Sequence, residues 1–294
     1  LQWPEAEGDI SGIISTTGSL TQQGGWQVAV SQLDIDGILR EYPLNIEGEL
    51  TASDVAGKGQ FELDTPGLVL SHGPNNVEAK GSLSEEWRMS LSLDLPELAK
   101  SVPELSGKAI GDVHLRGPMK EPKVKLALDV DAIDFQQQYK VKHITLSGDV
   151  TPLPEPKGDL TLELEGGQYQ DYQLKDLLLT FSGDQSQHNL MLDVDSNLVS
   201  TSLALSGSLT DKPSIKWAGQ LERMLLSSQQ GEWELNQATK LGFDMKSQQA
   251  SVAAHCWLQA DSSLCLDEDI KVGESGEAKL SINQFNFSQI AQFL

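Results

Sequence analysis

Residues 91–150 read LSLDLPELAKSVPELSGKAIGDVHLRGPMKEPKVKLALDVDAIDFQQQYKVKHITLSGDV. In KVKLALDV, Val124, Leu126, Leu128 and Val130 take every second position, and Lys123, Lys125, Ala127 and Asp129 fill the others. Successive side chains of a β-strand point to opposite faces, so this spacing predicts a ribbon with one apolar and one wet face. The preceding segment, Trp87 to Leu95, alternates in the same way, with Met89, Leu91, Leu93 and Leu95 set against Ser90, Ser92 and Asp94. From Asp94 the chain offers an acidic cap, a proline in the first turn and the apolar spacing of a short helix, which Pro103 ends. Nothing in the stretch carries chemistry. It has the composition of a wall.

Outward from this stretch the pattern recurs. Leu44, Ile46, Gly48 and Leu50 share a parity, and so do Leu160, Leu162 and Leu164 against Thr161, Glu163 and Glu165. Turn-rich SHGPNN and the prolines Pro152, Pro154 and Pro156 separate such segments. The count comes to about 17 strands at intervals of roughly 8–15 residues, with no long helix, which predicts a repeat-like, all-β chain. Residues 1–93 and 103–285 are expected as sheet segments, with residues 94–102 as a short helical seam between them. The closing NFSQIAQFL, residues 286–294, resembles the first helix and is expected to form a second.

Composition agrees with sheets that keep one wet face. Hydrophobic residues other than glycine make up 38% of the 294 and aromatic ones 6%, a modest share that suits alternating strands. A formal charge of −22 argues against nucleic acid as a partner. The chain opens on LQWPEAEGDISG, without the basic and apolar regions of a signal peptide. No apolar run approaches the roughly 20 residues that cross a bilayer. A soluble piece is expected, its two ends being cuts within a longer protein.

The alternation makes a demand. At about 4.8 Å per strand, about 17 strands in one sheet would form a wall on the order of 80 Å long. Its apolar face would reach a few thousand Å², whereas soluble monomers rarely expose more than a few hundred Å² in one patch. Something must cover that face: another sheet, the same sheet curled on itself, a partner, or lipid acyl chains.

Other motifs are weak. Cys256 and Cys265 flank a turn, QADSS, so two strands would bring both sulfurs across a hairpin. They would pair in an oxidising compartment and stay reduced elsewhere. His72, His114, His143, His188 and His255 lack metal-ligand spacing and are expected at the surface or in turns. Asp34 and Asp36, Asp129 and Asp131, and Asp193 and Asp195 lie in alternating sequence, where a solvated strand face is the plain reading and no calcium loop follows. Gly273-Glu-Ser-Gly lacks the full nucleophile-elbow pattern, and neither a P-loop nor a dinucleotide fingerprint occurs. The expectation is a protein that is not an enzyme and has neither metal nor cofactor.

Two runs together resemble a known family. LSHGPNNVEAKGSLSEEWRMSLSLDLPELAKSVPELSGKAIGDVHLRGPMKEPKVKLAL holds a G-x-N-x-V-x-x-x-G turn and strand, a tryptophan strand, a D-x-P-x-L helix and spaced L-x-G motifs ending in proline. AHCWLQADSSLCL adds a CW…LCL pair. The combination is similar to the AsmA-like, TamB-type proteins, and the resemblance extends over most of the chain. It implies an elongated, curled β-sheet, a taco-like groove of many short alternating strands with one or two short helices. It further implies a periplasmic location, in a full-length protein anchored in the bacterial inner membrane. Phospholipid acyl chains are the implied cargo, and a TamA-like outer-membrane barrel is the implied partner of parts outside this chain. On polarity, the groove lining is expected to be Leu91, Leu93, Val124, Leu126, Leu128, Val130, Ile144, Leu146, Leu160, Leu162, Leu164, Leu190, Leu192, Leu203 and Leu205. The competing expectations are a scaffold that assists outer-membrane β-barrel assembly by strand pairing, and a closed spacer filled by its own side chains.

Overall fold

Strict alternation yields strands throughout. The computed structural model describes residues 7–229 and 231–285. Among them are 21 strands, all pairing antiparallel where register is defined, and a single helical turn, in two units of residues 1–154 and 155–294. The all-β expectation holds, with more strands than the sequence count.

The first unit contains β1 (Gly8–Leu20), β2 (Trp26–Leu39), β3 (Tyr42–Asp54), β4 (Glu62–His72), β5 (Asn75–Leu83), β6 (Glu86–Leu95), α1 (Leu98–Ser101), β7 (Leu105–Pro118), β8 (Lys123–Phe135) and β9 (Tyr139–Thr151). Each strand pairs with the next, an up-and-down meander. Bulges make these strands longer than their alternating segments. In β2, Val30 pairs with Leu50 and Leu33 with Gly48. One extra residue therefore joins two segments that each alternate, and both keep their apolar side chains on the same face. The same device in β4 sets Thr65 opposite Gly81 and Leu68 opposite Ala79. There Thr65, 2% exposed, donates its hydroxyl to the Glu49 carbonyl at 2.7 Å.

The helix is shorter than residues 94–102. Strand β6 continues through Leu95, which pairs with Ala109, so Asp94 stays in the ladder and Glu97 takes the cap position without a side-chain cap bond. The strands on either side of α1, β6 and β7, pair directly with each other. What holds the helix is a buried polar network. Asn75 donates to the Glu97 carbonyl and the Ser101 hydroxyl, both at 2.7 Å, and accepts from the Glu97 N–H at 3.0 Å. His72, expected at the surface or in a turn, ends β4 next to the turn and is only 5% exposed. Its Nε2 donates to the Leu39 carbonyl at 2.8 Å and its Nδ1 accepts from Ser101 at 3.1 Å.

The second unit begins with a meander of β10 (Lys157–Tyr169), β11 (Tyr172–Asp184), β12 (His188–Ser196), β13 (Val199–Thr210) and β14 (Lys216–Ser228). It continues with β15 (Gly231–Leu235), β16 (Thr239–Asp244), β17 (Gln249–Val252), β18 (His255–Gln259), β19 (Ser262–Leu266), β20 (Ile270–Val272) and β21 (Leu280–Asn283). After β14 the sheet forks: residues 225–228 pair with β15 and residues 216–221 with β16. One branch runs through β15, β18, β19 and β21, the other through β16, β17 and β20. Cys256 and Cys265 stand directly opposite in β18 and β19, with Cα atoms 4.0 Å apart, and form a disulfide. The helix expected at residues 286–294 lies outside the described residues.

Burial is scant. Among the described residues the buried apolar side chains are Leu83, Leu98, Leu221, Leu235 and Leu266. In each unit the sheet is a single layer that leaves most described side chains half-buried or exposed. Replacing Asn75 with alanine removes three hydrogen bonds to the helical turn. We expect a loss of about 2–3 kcal/mol, seen as faster amide exchange across residues 97–102 with protection of β7 to β9 unchanged.

Candidate functional site

Residues directly opposite one another on neighbouring strands share a face, so the register traces each face across its unit. In the first unit one row runs Ile14, Leu33, Gly48, Leu68, Ala79, Leu91, Val113, Leu126, Gly148. The next runs Gly12, Ile35, Ile46, Leu70, Val77, Leu93, Gly111, Leu128, Leu146. Neither row contains a polar side chain. Flanking them are Met89, Leu115, Val124 and Val150 on one side, and Leu95, Ala109, Val130 and Ile144 on the other. The eight lining residues expected in this unit therefore share one face. Most are half-buried, shielded by neighbours in the same layer.

The second unit repeats the arrangement. Leu162, Leu179, Leu192, Leu203 and Met224 form one row, and Leu160, Phe181, Leu190, Leu205 and Leu221 another. A third runs from Leu164 through Leu177, Val194, Thr201 and Leu226 to Trp233. The seven residues expected here, Leu160, Leu162, Leu164, Leu190, Leu192, Leu203 and Leu205, again share a face. The third row opens into an apolar cup of about 220 Å³ lined by Leu226, Trp233, Trp257, Leu264 and Phe285.

Sequence reasoning missed partners that the register supplies. Leu177, Leu178 and Leu179 are consecutive, so period alone does not choose a parity. The pairing puts Leu177 and Leu179 on the apolar face and leaves Leu178 on the other, 38% exposed. Trp217 lies across Gly207 and Gly219: a Cβ on Gly207 would come within 2.6 Å of its Nε1. That Nε1 donates to His188 Nε2 at 2.8 Å, while His188 Nδ1 donates to the Asp184 carbonyl at 2.9 Å. His188 is thus a bonded part of the apolar face.

The opposite face is polar. Asp129 and Asp131 lie on it as expected, but β9 brings His143 beside them. Asp131 accepts from His143 Nδ1 at 2.7 Å and pairs with Lys108 at 2.9 Å, and His143 Nε2 lies 3.6 Å from Asp129. The hydrogen bond from Lys108, and then that from His143, hold the Asp131 carboxyl below its ordinary value. The Lys108 ammonium occupies one Asp131 oxygen, so the group is an ion-pair cluster on a wet face. Among the described residues no helix is long and apolar enough to cross a membrane.

Fold and faces together define a class: an all-β protein whose distinctive surface is an extended apolar sheet face rather than an enclosed pocket. The profile of the family described as "TamB, N-terminal domain" matches residues 1–294, and the chain belongs to that family. It is similar to the translocation and assembly module subunit TamB of Haemophilus influenzae, with 25% identity over 292 residues. That match covers 99% of this chain and 22% of the relative, so the chain spans about a fifth of the relative's length. No solved structure matches.

The two faces are separable by experiment. Leu126→Glu should weaken binding of an apolar fluorescent dye about fivefold, equivalent to about 1 kcal/mol of lost apolar contact. Ala127→Glu, one residue along on the wet face, should leave dye binding unchanged, with circular dichroism showing that both variants fold.

Proposed function

We propose that this chain is a periplasmic segment of a TamB protein whose apolar faces shield acyl chains and conduct phospholipids between inner and outer membrane for outer-membrane biogenesis. The full-length protein would be anchored in the inner membrane. The observation that carries this reading is the pair of rows crossing all nine strands of the first unit without a polar side chain, on a face with no second layer among the described residues. On β5 that face runs from Val77 to Leu83, beyond the helical turn that Asn75 holds, seven residues or roughly 24 Å at about 3.4 Å per residue. One leaflet's hydrocarbon is about 15 Å thick, so the face is wide enough for an acyl chain lying across it. No chemical step is required. The cargo is held by exclusion from water, and Leu91, Leu93, Val124, Leu126, Leu128, Val130, Ile144 and Leu146 would line its path in this unit.

A second reading rests on a different observation. Among the described residues strand β1 pairs with β2 alone, and along its length Ile10, Ile13, Ile14 and Leu20 are 61%, 58%, 58% and 86% exposed. An open edge of that kind accepts an added strand, as a scaffold assisting barrel assembly alongside a TamA-like partner would require. The name of the Haemophilus relative, a translocation and assembly module subunit, suits this reading as well.

The two readings part on one experiment. The purified chain, examined by native mass spectrometry, should carry phospholipid, and it should speed phospholipid exchange between vesicles. Leu162→Asp should bring exchange down to near the uncatalysed rate, while Thr161→Asp on the wet face should not. Equal exchange by both variants, or a photo-crosslinker at Leu162 that captures only protein strands, would contradict lipid conduction and favour the scaffold.

A further inference from the structure

In a chain of net charge −22, a cluster of like positive charges is not explained by solubility. The first unit has one. On the polar face, Ser82 pairs with Arg88, Arg88 with Arg116, and Arg116 with Lys123. The adjacent row joins Lys80, Ser90, His114 and Lys125. From β5 to β8 these two rows hold five Lys or Arg side chains and no carboxylate. Arg88, Arg116 and Lys123 stand directly opposite one another, an arrangement that costs stability while no anion is present. Carboxylates border the patch: Asp149 stands opposite Lys125 on β9 and Asp64 opposite Ser82 on β4, while Glu86 pairs with Arg88 at 3.1 Å and Glu78 with Lys80 at 3.0 Å; none stands opposite Arg88, Arg116 or Lys123 in the ladder. Arg116 lies against the sheet through Nη1, which donates to the Met89 and Leu115 carbonyls at 3.0 Å each. His114 Nδ1, in the adjacent row, is shielded from solvent and makes no protein hydrogen bond.

Position gives the patch its meaning. Arg88, Arg116 and Lys123 sit at the strand ends, close to Glu85, Glu86, Pro118 and the start of β8, and Lys120 and Glu121 lie in the turn between β7 and β8. At the same margin the other face of the sheet carries Trp87, Met89, Leu115 and Val124. Trp87 is amphipathic there, its ring on the apolar side and its Nε1 donating to the Met119 carbonyl at 3.1 Å. The margin therefore turns from apolar and aromatic to cationic within one residue along each strand. Long Lys and Arg side chains reach around such an edge, and a clustered excess of them is the charge pattern that attracts anionic lipid.

We propose that the strand-end margin of β6, β7 and β8 is a headgroup-binding rim for phospholipid of net negative charge. Its acyl chains lie on Trp87, Met89, Leu115 and Val124, and its phosphate meets Arg88, Arg116 and Lys123. This rests on the acyl-shielding reading above and adds lipid selectivity to it. The test offers the purified chain equal amounts of phosphatidylglycerol and phosphatidylethanolamine with identical acyl chains, the bound pair being weighed by native mass spectrometry. The chain should favour phosphatidylglycerol. Arg88→Gln with Arg116→Gln and Lys123→Gln should reduce that ratio at least about fivefold while total bound lipid stays the same. Lys substitutions at Arg88 and Arg116 should restore it. A triple variant with the ratio unchanged would overturn the rim and leave acyl shielding standing. Failure to retain either lipid would overturn both. Loss of the preference on adding inorganic phosphate, at constant ionic strength, would overturn the rim in favour of a free-phosphate site.

Discussion

The structure depends on one constraint, the conservation of side-chain parity across an antiparallel ladder. Once Leu91 stands opposite Val113, and Val113 opposite Leu126, every second residue on those strands is committed to the same face. A slip of one residue would exchange leucines for serines and lysines along the whole strand. Bulges are the permitted exceptions, and those in β2 and β4 insert a residue where the apolar phase of the sequence also skips, so face and sequence remain in step. Both units follow this rule. The product is a layer with an apolar side that the described residues do not cover.

Such a layer is held differently from a two-layer domain. With only Leu83, Leu98, Leu221, Leu235 and Leu266 as buried apolar side chains among the described residues, no central core supplies the stability. It comes from ladder hydrogen bonds and from cross-strand pairs worth about 0.2–1 kcal/mol each, spread along the chain. Local devices secure the places where the ladder alone does not suffice. The His72, Asn75 and Ser101 network fixes the helical turn, Trp217 spans two glycines and bonds to His188, and the Cys256–Cys265 disulfide staples a hairpin in one branch of the fork. Opening is therefore expected to be local, strand by strand, with ligand on the apolar face adding to stability wherever it binds.

How much of this was legible follows from which contacts are local. Val124, Leu126, Leu128 and Val130 declare their face because lysine, alanine and aspartate separate them. Leu177, Leu178 and Leu179 do not, since three leucines in succession fit either parity until β12 fixes one. The acidic cap proposed at Asp94 failed because pairing of Leu95 with Ala109 outweighed a local helix signal. The pairing of Asp131 with His143, the meeting of Arg88, Arg116 and Lys123, and the fork after β14 depend on strand register, which no single segment encodes. The faces were readable from sequence; what each face gathers together was not.

The most direct measurement uses a phospholipid with a photoreactive diazirine in its acyl chain, bound to the purified chain and crosslinked, with labelled positions on β8 read by peptide mass spectrometry. If the apolar face is where acyl chains lie, label will fall on Val124, Leu126, Leu128 and Val130 and skip Lys125, Ala127 and Asp129. Label spread evenly over both parities, or concentrated on the wet one, would contradict the account.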